Sequence, residues 1–279
     1  MFEALVMEDY SEKVDYYNRN FPVKTWKTNN TNFRTLAYVN HWHCEYEFVY
    51  IVSGTMKYNI NNKVIELKKG DLLFVNSCNM HFGFQDIFSE CEVICLMFHP
   101  SVIDNRLSNK PLPSYLLLNE QNISDIEAIN CIKTIFKYDN KDDLASQFGI
   151  LSWLYKLCGE IAEHSKDMPP EPESKEVGIM QRMTGFIQKK YPEKIKIEDI
   201  AEAGMVCRSK CCKIFKEFLG KTPIEYLTEY RINKSIGLLK TTDMSITEIA
   251  VSCGFCGSSY FTETFVKIMK CTPSGFRKI

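Results

Sequence analysis

Long apolar runs are missing from this sequence. No stretch approaches the ~18–20 consecutive apolar residues that a membrane-spanning helix needs, so none is expected. The opening residues, MFEALVMEDY, carry acids and no basic cluster ahead of an apolar core. That argues against a secretory signal and for a cytoplasmic protein with no membrane contact. Histidine is scarce: there are five in 279 residues, and three of them fall between His41 and His81. Net charge is nearly absent, at −1. Cysteine is plentiful, with twelve, but scattered. Without a signal these read as reduced thiols. Cys253-x-x-Cys256 has zinc or redox spacing, yet no second ligand pair follows it. No constellation of residues demands catalysis, so no enzyme is expected.

What is present is divided unevenly. From Gly178 onward there are 17 Lys and Arg against 10 Asp and Glu; the residues before it hold 17 against 25. A basic C-terminal part beside an acidic N-terminal part fits nucleic-acid contact confined to the former. A solvated basic face gives the same balance, so charge alone does not decide. The stretch KDMPPEPESKE at 166–176 is rich in Pro and Glu, has no apolar period and reads as a linker. The expected boundaries are an N-terminal domain over 1–165, a linker over 166–177 and a C-terminal domain over 178–279.

Residues 1–40 are polar and irregular, with short apolar runs such as Phe33 to Val39. From His41 the pattern turns to strands. HWHCEYEFVYIVSG alternates and is rich in aromatic and β-branched residues. MKYNINNKVIEL reads as a hairpin with Asn61-Asn62 at its tip, since Asn tolerates the positive φ of a tight turn. LLFVNS after Gly70-Asp71 and CEVICLMF at 91–98 add further strands. Many short strands with turn signals predict an antiparallel barrel or sandwich. Helical periodicity begins at Ser124, expected as the N-cap of a helix to Lys137, with Glu127 closing a capping box. A second helix is expected over 142–165, with Ile150, Leu151, Leu154, Leu157, Cys158 and Ile161 down one stripe. His99 and His164 stand alone and read as surface residues.

The stretch Ser245 to Arg277 reads as a helix, a turn through Cys253-Gly254-Phe255 and a second helix. Ile246, Ile249 and Ala250 mark one apolar face; Tyr260, Phe261, Phe265 and Ile268 mark the next. Two helices joined by a Gly-containing turn outline a helix-turn-helix. Residues 197–220 repeat the plan: Ile197, Ile200 and Ala201 match Ile246, Ile249 and Ala250, Gly204 matches Gly254, and Phe215 matches Phe265. Between the copies, Ile224 to Lys240 reads as one helix, with Thr222 as N-cap and Pro223 at the first position. The segment from about Met180 to Arg277 resembles the DNA-binding domain of the AraC/XylS family of transcription regulators. The matching residues are IEDIAEAGMV, IFK at 214–216, G-x-T-P-x-x-Y-L at 220–227 and R-I-N-K at 231–234. In the second unit they are S-I-T-E-I-A, C-G-F, S-Y-F, F-V-K and T-P-S-G-F-R.

His41, His43, Glu45 and Glu47 share strand parity, so they are expected on one face; Trp42 and Tyr46 have the opposite parity. Two imidazoles and a carboxylate inside a barrel cost free energy unless they bind something or pair with each other. His-x-His-x3-Glu-x6-Gly, ending at Gly54, resembles the first motif of the cupin superfamily. Gly70-x5-Asn76-x-Cys78-x2-His81 resembles the second, with Asn76 and Cys78 where Pro and Gly are usual. The resemblance implies three alternatives for His41, His43, Glu45, Glu47 and His81: a pocket for an organic effector such as a sugar, a divalent-metal site on His41, His43, Glu47 and His81, or a structural network. Imidazole and carboxylate suit Zn, Fe, Mn or Ni, although no cofactor is expected in family sensors of this kind. Tyr38, Tyr50 and Tyr58 are further candidates to line the barrel.

The recognition helices are expected in the major groove of double-stranded DNA. Alignment to the family implies that Ser209, Cys212 and Lys213 face out in the first unit, with Lys213 donating to guanine and Arg208, Lys210 and Lys216 on phosphates. In the second unit Ser258, Ser259, Thr262 and Glu263 take the outward places; Glu263 departs from the family's usual donors and is either a base reader or a partner of Lys267. The implied protein is a regulator with a cupin-like sensor and two reading units. It is expected to respond to a small molecule, to dimerise through helix 142–165 as many relatives in the family do, and to act by operator affinity or contact with RNA polymerase. Two rivals remain: a metal-dependent cupin enzyme fused to a DNA-binding tail, and a ligand-free regulator controlled by a protein partner.

Overall fold

The computed structural model describes residues 5–6, 12–14, 16, 18, 20–29, 41–84, 90–103, 112–138, 143–168 and 175–278. The run Phe33 to Val39, Tyr38 within it, and residues 169–174 of the expected linker lie outside these. Two compact units emerge, one built around residues 14–33 and 42–173 and one around 174–279.

The first unit is an antiparallel barrel followed by two helices. A two-residue ribbon, β1 (Leu5–Val6) with β2 (Glu12–Lys13), precedes it in the chain. The barrel strands are β3 (Val23–Asn29), β4 (Tyr46–Ile60), β5 (Lys63–Lys68), β6 (Asp71–Val75), β7 (His81–Phe84), β8 (Cys91–Phe98) and β9 (Tyr115–Asn119). Every pairing among them is antiparallel, and the main sheet runs β3-β8-β4-β6-β9. β4 organises the rest. Its first half pairs with β6 and β8, and its second half with β5 and β7. Between the halves lies a bulge at Ile51/Ser53, followed by Gly54 at φ +78°. A Cβ on Gly54 would lie 1.8 Å from the Glu90 carbonyl oxygen, so only glycine allows this bend. The expected Asn61-Asn62 hairpin is present, with both residues at positive φ. β3 and β9 were not anticipated. β3 lies in a stretch read as irregular, because Lys and Thr interrupt its apolar pattern; it pairs residue for residue with β8.

Strand alternation splits the apolar residues between two cores. Phe48, Tyr50, Leu72, Phe74, Leu96 and Phe98 pack beneath the helices α1 (Ile126–Lys137) and α2 (Leu144–Ser165). Val49, Ile51, Tyr58, Leu73, Val75, Val93 and Cys95 fill the barrel interior. β6 is buried at all five positions because both its faces are covered, which explains the apolar run Leu72–Val75 behind Asp71. Tyr46 packs on the helix side against Phe74 and Phe98, as its parity predicted.

The helix starts bring two corrections. Ser124 is not an N-cap: residues Ile123–Asp125 form a 3₁₀ turn, and the Ser124 hydroxyl donates to Asp125 instead. Asp125 is buried and also accepts from the Asn119 N–H and the Asn122 amide, so the local polar groups close on that carboxylate rather than on a capping box. His164 is not a lone surface residue, for its Nε2 lies 3.0 Å from Asp125 Oδ1 and joins the end of α2 to the start of α1. His99 is half-buried and caps the 3₁₀ turn Pro100–Val102.

The second unit is helical: α3 (Lys175–Lys190), α4 (Ile197–Ala203), α5 (Arg208–Leu219), α6 (Pro223–Thr241), α7 (Ile246–Ser252), α8 (Ser258–Met269) and α9 (Pro273–Arg277). α3 begins inside the stretch expected to be linker. Thr222 and Glu225 form a reciprocal capping box with Pro223 at the first position, and Ser245 with Glu248 forms another. α4 has half a box: Asp199 accepts from the Lys196 N–H, but a lysine has no acceptor to return. α4 and α7 end alike. Val206 N–H reaches the Ala201 carbonyl and Met205 N–H that of Glu202; Phe255 reaches Ala250 and Gly254 reaches Val251. The equivalence of Gly204 with Gly254 is therefore wrong by one residue. Met205, at φ 56°, holds the left-handed place of Gly254, and Gly204 is right-handed. Gly204 is small for another reason: a Cβ there would lie 2.7 Å from Met183 Cγ. The second turn is one residue longer, because Cys256 intervenes before the N-cap Gly257.

None of the twelve cysteines is in a disulfide. Burial raises the thiols of Cys91, Cys131 and Cys253 to about 11 and those of Cys158 and Cys211 to about 12. Ellman's reagent at pH 8 should titrate the exposed Cys78, Cys207 and Cys256 rapidly, and these five only after denaturation.

Candidate effector site and DNA interface

β4 begins at Tyr46, so His41, His43 and Glu45 precede the strand that was expected to carry them. The side chains converge nonetheless. Glu47 is 4% exposed, and its Oε2 lies 3.1 Å from His43 Nε2 and 3.0 Å from His81 Nε2. Its Oε1 accepts from the Tyr58 hydroxyl at 2.8 Å. Tyr58 lies beyond the Gly54 bend on the same strand, and folding β4 back on itself brings it to Glu47. The His43 and His81 rings meet edge-on at 4.8 Å. His43 Nδ1 lies 3.5 Å from Glu45 Oε2, and Glu45 Oε1 accepts from the Tyr16 hydroxyl at 2.6 Å. Burial pushes the Tyr16 hydroxyl well up. His41 completes the group: one ligand atom from each of His41, His43, Glu47 and His81 lies within 4.8 Å of the others.

His81 is informative by itself. Its Nδ1 lies 2.8 Å from the Asn79 carbonyl oxygen. A carbonyl only accepts, so Nδ1 carries a proton. The other nitrogen then faces the Glu47 carboxylate, also an acceptor, at 3.0 Å. A neutral ring would oppose two lone pairs there; an imidazolium or a cation between the groups removes that repulsion. The carboxyl of Glu47 reflects the same balance. Burial pushes its pKa up, but the His81 and His43 imidazoles pull it further down, and the net value is well below the usual carboxylate range. Cys78 adopts φ 61°, which accounts for the glycine usual at that place, and its N–H donates to the His43 carbonyl, tying the loop before β7 to the histidine segment. Tyr50 lies in the other core and donates to Glu120. Tyr16 was missed, because nothing in its polar surroundings marks it.

In the helical unit, Cys211, Ile214, Phe215 and Phe218 bury one face of α5, and Phe261, Phe265 and Met269 one face of α8. The opposite faces are open. Arg208, Ser209, Lys210 and Lys213 are exposed and Cys212 is half-buried; Ser259 and Glu263 are exposed, with Ser258 and Thr262 half-buried. Arg208 contacts Glu198 at 3.3 Å and Lys213 contacts Glu217 at 3.6 Å, both solvent-exposed pairs that DNA can displace. Lys216 was expected on phosphate; its Nζ donates to the Gly220 carbonyl and closes the end of its own helix. Tyr260 was read as part of the buried stripe but is 57% exposed beside Ser259, with its ring against Phe255. Among the described residues, no ion pair joins Glu263 to Lys267. Cys253 is buried in the second core and Cys256 is exposed.

Two family models match the chain: an AraC-like ligand binding domain over residues 30–137 and a helix-turn-helix domain over residues 200–279. The transcriptional regulator YdeC of Bacillus subtilis (strain 168) is 31% identical over 293 aligned positions, spanning 100% of this chain and 99% of its own. The chain belongs to the AraC family of transcription regulators. The melibiose operon regulatory protein of Escherichia coli (strain K12) is 25% identical, with 86% of this chain and 83% of that protein covered. The Msm operon regulatory protein of Streptococcus mutans (strain ATCC 700610 / UA159) is 26% identical over 84% of each. Among solved structures, apo ToxT from Vibrio cholerae has the same fold, with a TM-score of 0.52 at 16% identity, covering 92% of this chain and 97% of that one. This AraC-family chain is thus a DNA-binding regulator with a ligand-binding domain, not an enzyme. Its two helix pairs are the reading units, and no helix among the described residues is long and apolar enough to cross a membrane.

Replacing Glu47 by Gln removes the charge between two buried imidazoles. The variant should lose about 3–5 kcal/mol of stability at pH 7, the usual cost of breaking a buried ion pair. Because the folded carboxyl lies below its unfolded value, this stability is complete above the ordinary carboxylate range and fades as pH falls below it. Denaturant melts of wild type and variant should therefore converge on acidification.

Proposed function

We propose that a small hydroxyl-rich molecule, sugar-like in class, binds at the His43–Glu45–Glu47–His81 end of the barrel and shifts the protein between states of different operator affinity or polymerase contact. The observation that carries this reading is the convergence of two buried carboxylates and two imidazoles at one end of an otherwise apolar interior. Such groups are costly to bury and suit a ligand that both donates and accepts hydrogen bonds. Relatives named as regulators of a melibiose operon and activators of a lactose operon support that class. On DNA, α5 and α8 enter the major groove. Lys213 donates to guanine, while Arg208 and Lys210 hold phosphates. Ser209 and Cys212 complete the first reading surface, and Ser258, Ser259, Thr262 and Glu263 form the second. The first unit, with its three exposed cations, supplies more of the affinity.

A second reading has its own support. The His81 ring lies between a carbonyl and a carboxylate, as a metal-binding imidazole with an oriented second nitrogen does. His41, His43, Glu47 and His81 would hold a divalent ion such as Zn, Fe, Mn or Ni, and the ion would supply the missing positive charge. Metal analysis and a thermal-shift panel of mono- and disaccharides separate the two. The sugar reading expects a rise in Tm with one sugar class that Glu45→Gln abolishes. Stoichiometric metal, lost on Glu47→Ala, with no response to any sugar would replace it.

The dimer proposal also takes a definite form. Ile150, Leu154, Leu157 and Ile161 of α2 face the chain's own core. Leu144, Phe148 and Tyr155 are exposed and Leu151 is half-buried, at spacings of 4, 3 and 4 that make a helix–helix seam. Sedimentation should show a wild-type dimer and a Phe148→Asp monomer of unchanged secondary structure; a monomeric wild type at high concentration would remove the proposal.

A further inference from the structure

Three segments of the helical unit meet at one guanidinium. Arg231 lies in the middle of α6, the helix that joins the two reading units. Its Nε donates to the Tyr191 carbonyl at 2.8 Å and its Nη2 to the Glu193 carbonyl at 2.7 Å. Tyr191 to Lys196 is the segment that ends α3 and leads into α4, the first helix of the first reading unit. The turn of the second reading unit touches the same place. A Cβ on Gly254 would lie 2.6 Å from the Tyr191 oxygen, 2.8 Å from the Pro192 oxygen and 2.9 Å from Arg231 Nη2. The Phe255 ring centroid is 6.0 Å from the guanidinium carbon. The Tyr191 ring packs edge-on against Tyr230, the neighbour of Arg231, at 5.2 Å. One side chain therefore grips the entry to the first unit while the turn of the second is seated against both.

The chemistry demands this residue type. Two carbonyls at different positions need a planar fork of donors, which arginine offers and lysine does not. The carbonyls follow the C-terminus of α3, where a cation is also favoured by the helix dipole. Glycine at 254 serves the same place: its φ of +82° and the lack of a Cβ let the second turn lie directly on the Tyr191 carbonyl that Arg231 holds and on the Pro192 carbonyl beside it.

We propose that Arg231 is a positioning residue that fixes the orientation of α8 relative to α5, and so makes the protein selective for the spacing between the two boxes of its operator. α6, 19 residues and about 28 Å along its axis at ~1.5 Å per residue, joins the two units. The clasp prevents rotation of one unit about that axis. Spacing along a duplex is read as rotation, because each inserted base pair turns the second box by about a tenth of a helical turn.

The test uses the full-length protein and the duplex it selects from a randomised DNA pool, in versions with two base pairs added or removed between the boxes, and with one box scrambled. Wild type should lose about tenfold or more in affinity when the spacing changes, on the scale of a mismatched base pair or two. Arg231→Gln should bind the selected duplex more weakly, lose less than about threefold on respacing, and match wild type on the single-box duplex. Arg231→Lys keeps the charge and the stem and so guards the fold; it should fall with Gln in spacing selectivity. An Arg231→Lys protein with a wild-type melting curve and wild-type selectivity would overturn the proposal. So would an equal loss for every spacing, which would make the residue purely structural.

Discussion

The bend of β4 at Gly54 is the constraint on which the sensor depends. One strand pairs with four others only because it turns from one set of partners to another midway, and it turns where a backbone carbonyl leaves no room for a side chain. That turn lays Tyr58 over Glu47, eleven residues earlier on the same strand. β7 pairs with the far half of β4 and delivers His81 to the same carboxylate. The histidine segment joins through the Cys78 contact with the His43 carbonyl. The polar cluster is thus a product of strand pairing, and its desolvated charges hold only while that pairing persists.

The helical unit solves a different problem. Each reading unit has one apolar face and buries it, leaving the opposite helix faces to solvent. Short helices of seven residues, such as α4 and α7, have little stability by themselves. They depend on their caps, on the Schellman ends and on a fully buried isoleucine in each, Ile200 and Ile249. The two units differ in their exposed faces and turns: the first offers cations and a short turn, the second hydroxyls, an acid and a longer turn seated on the Arg231 clasp.

Much of the fold was legible along the chain. Alternation in YEFVYIV, the Asn-Asn turn, the Thr222 and Ser245 capping signals and the 3.6-residue stripes are local, and local signals survive in any context. β3 was not legible, since it is a strand by virtue of lying beside β8. Ser124 misled because Asp125, one residue on, gathers contacts from three segments. His164 misled for the same reason: its partner is 39 residues away.

The amino-acid order by itself determined the two-part architecture, the repeated reading units and the set of histidines and acids that form the candidate site, because periodicity, caps and residue chemistry are properties of short windows. Only the tertiary structure decided that His81 lies between the Asn79 carbonyl and the Glu47 carboxylate, that Glu47 rather than Glu45 is the shared acceptor, that Met205 and not Gly204 takes the left-handed place, and that one arginine reaches across both reading units. Those outcomes rest on distances between residues far apart in the chain, and burial converts such distances into hydrogen-bond and backbone constraints that no window of sequence contains.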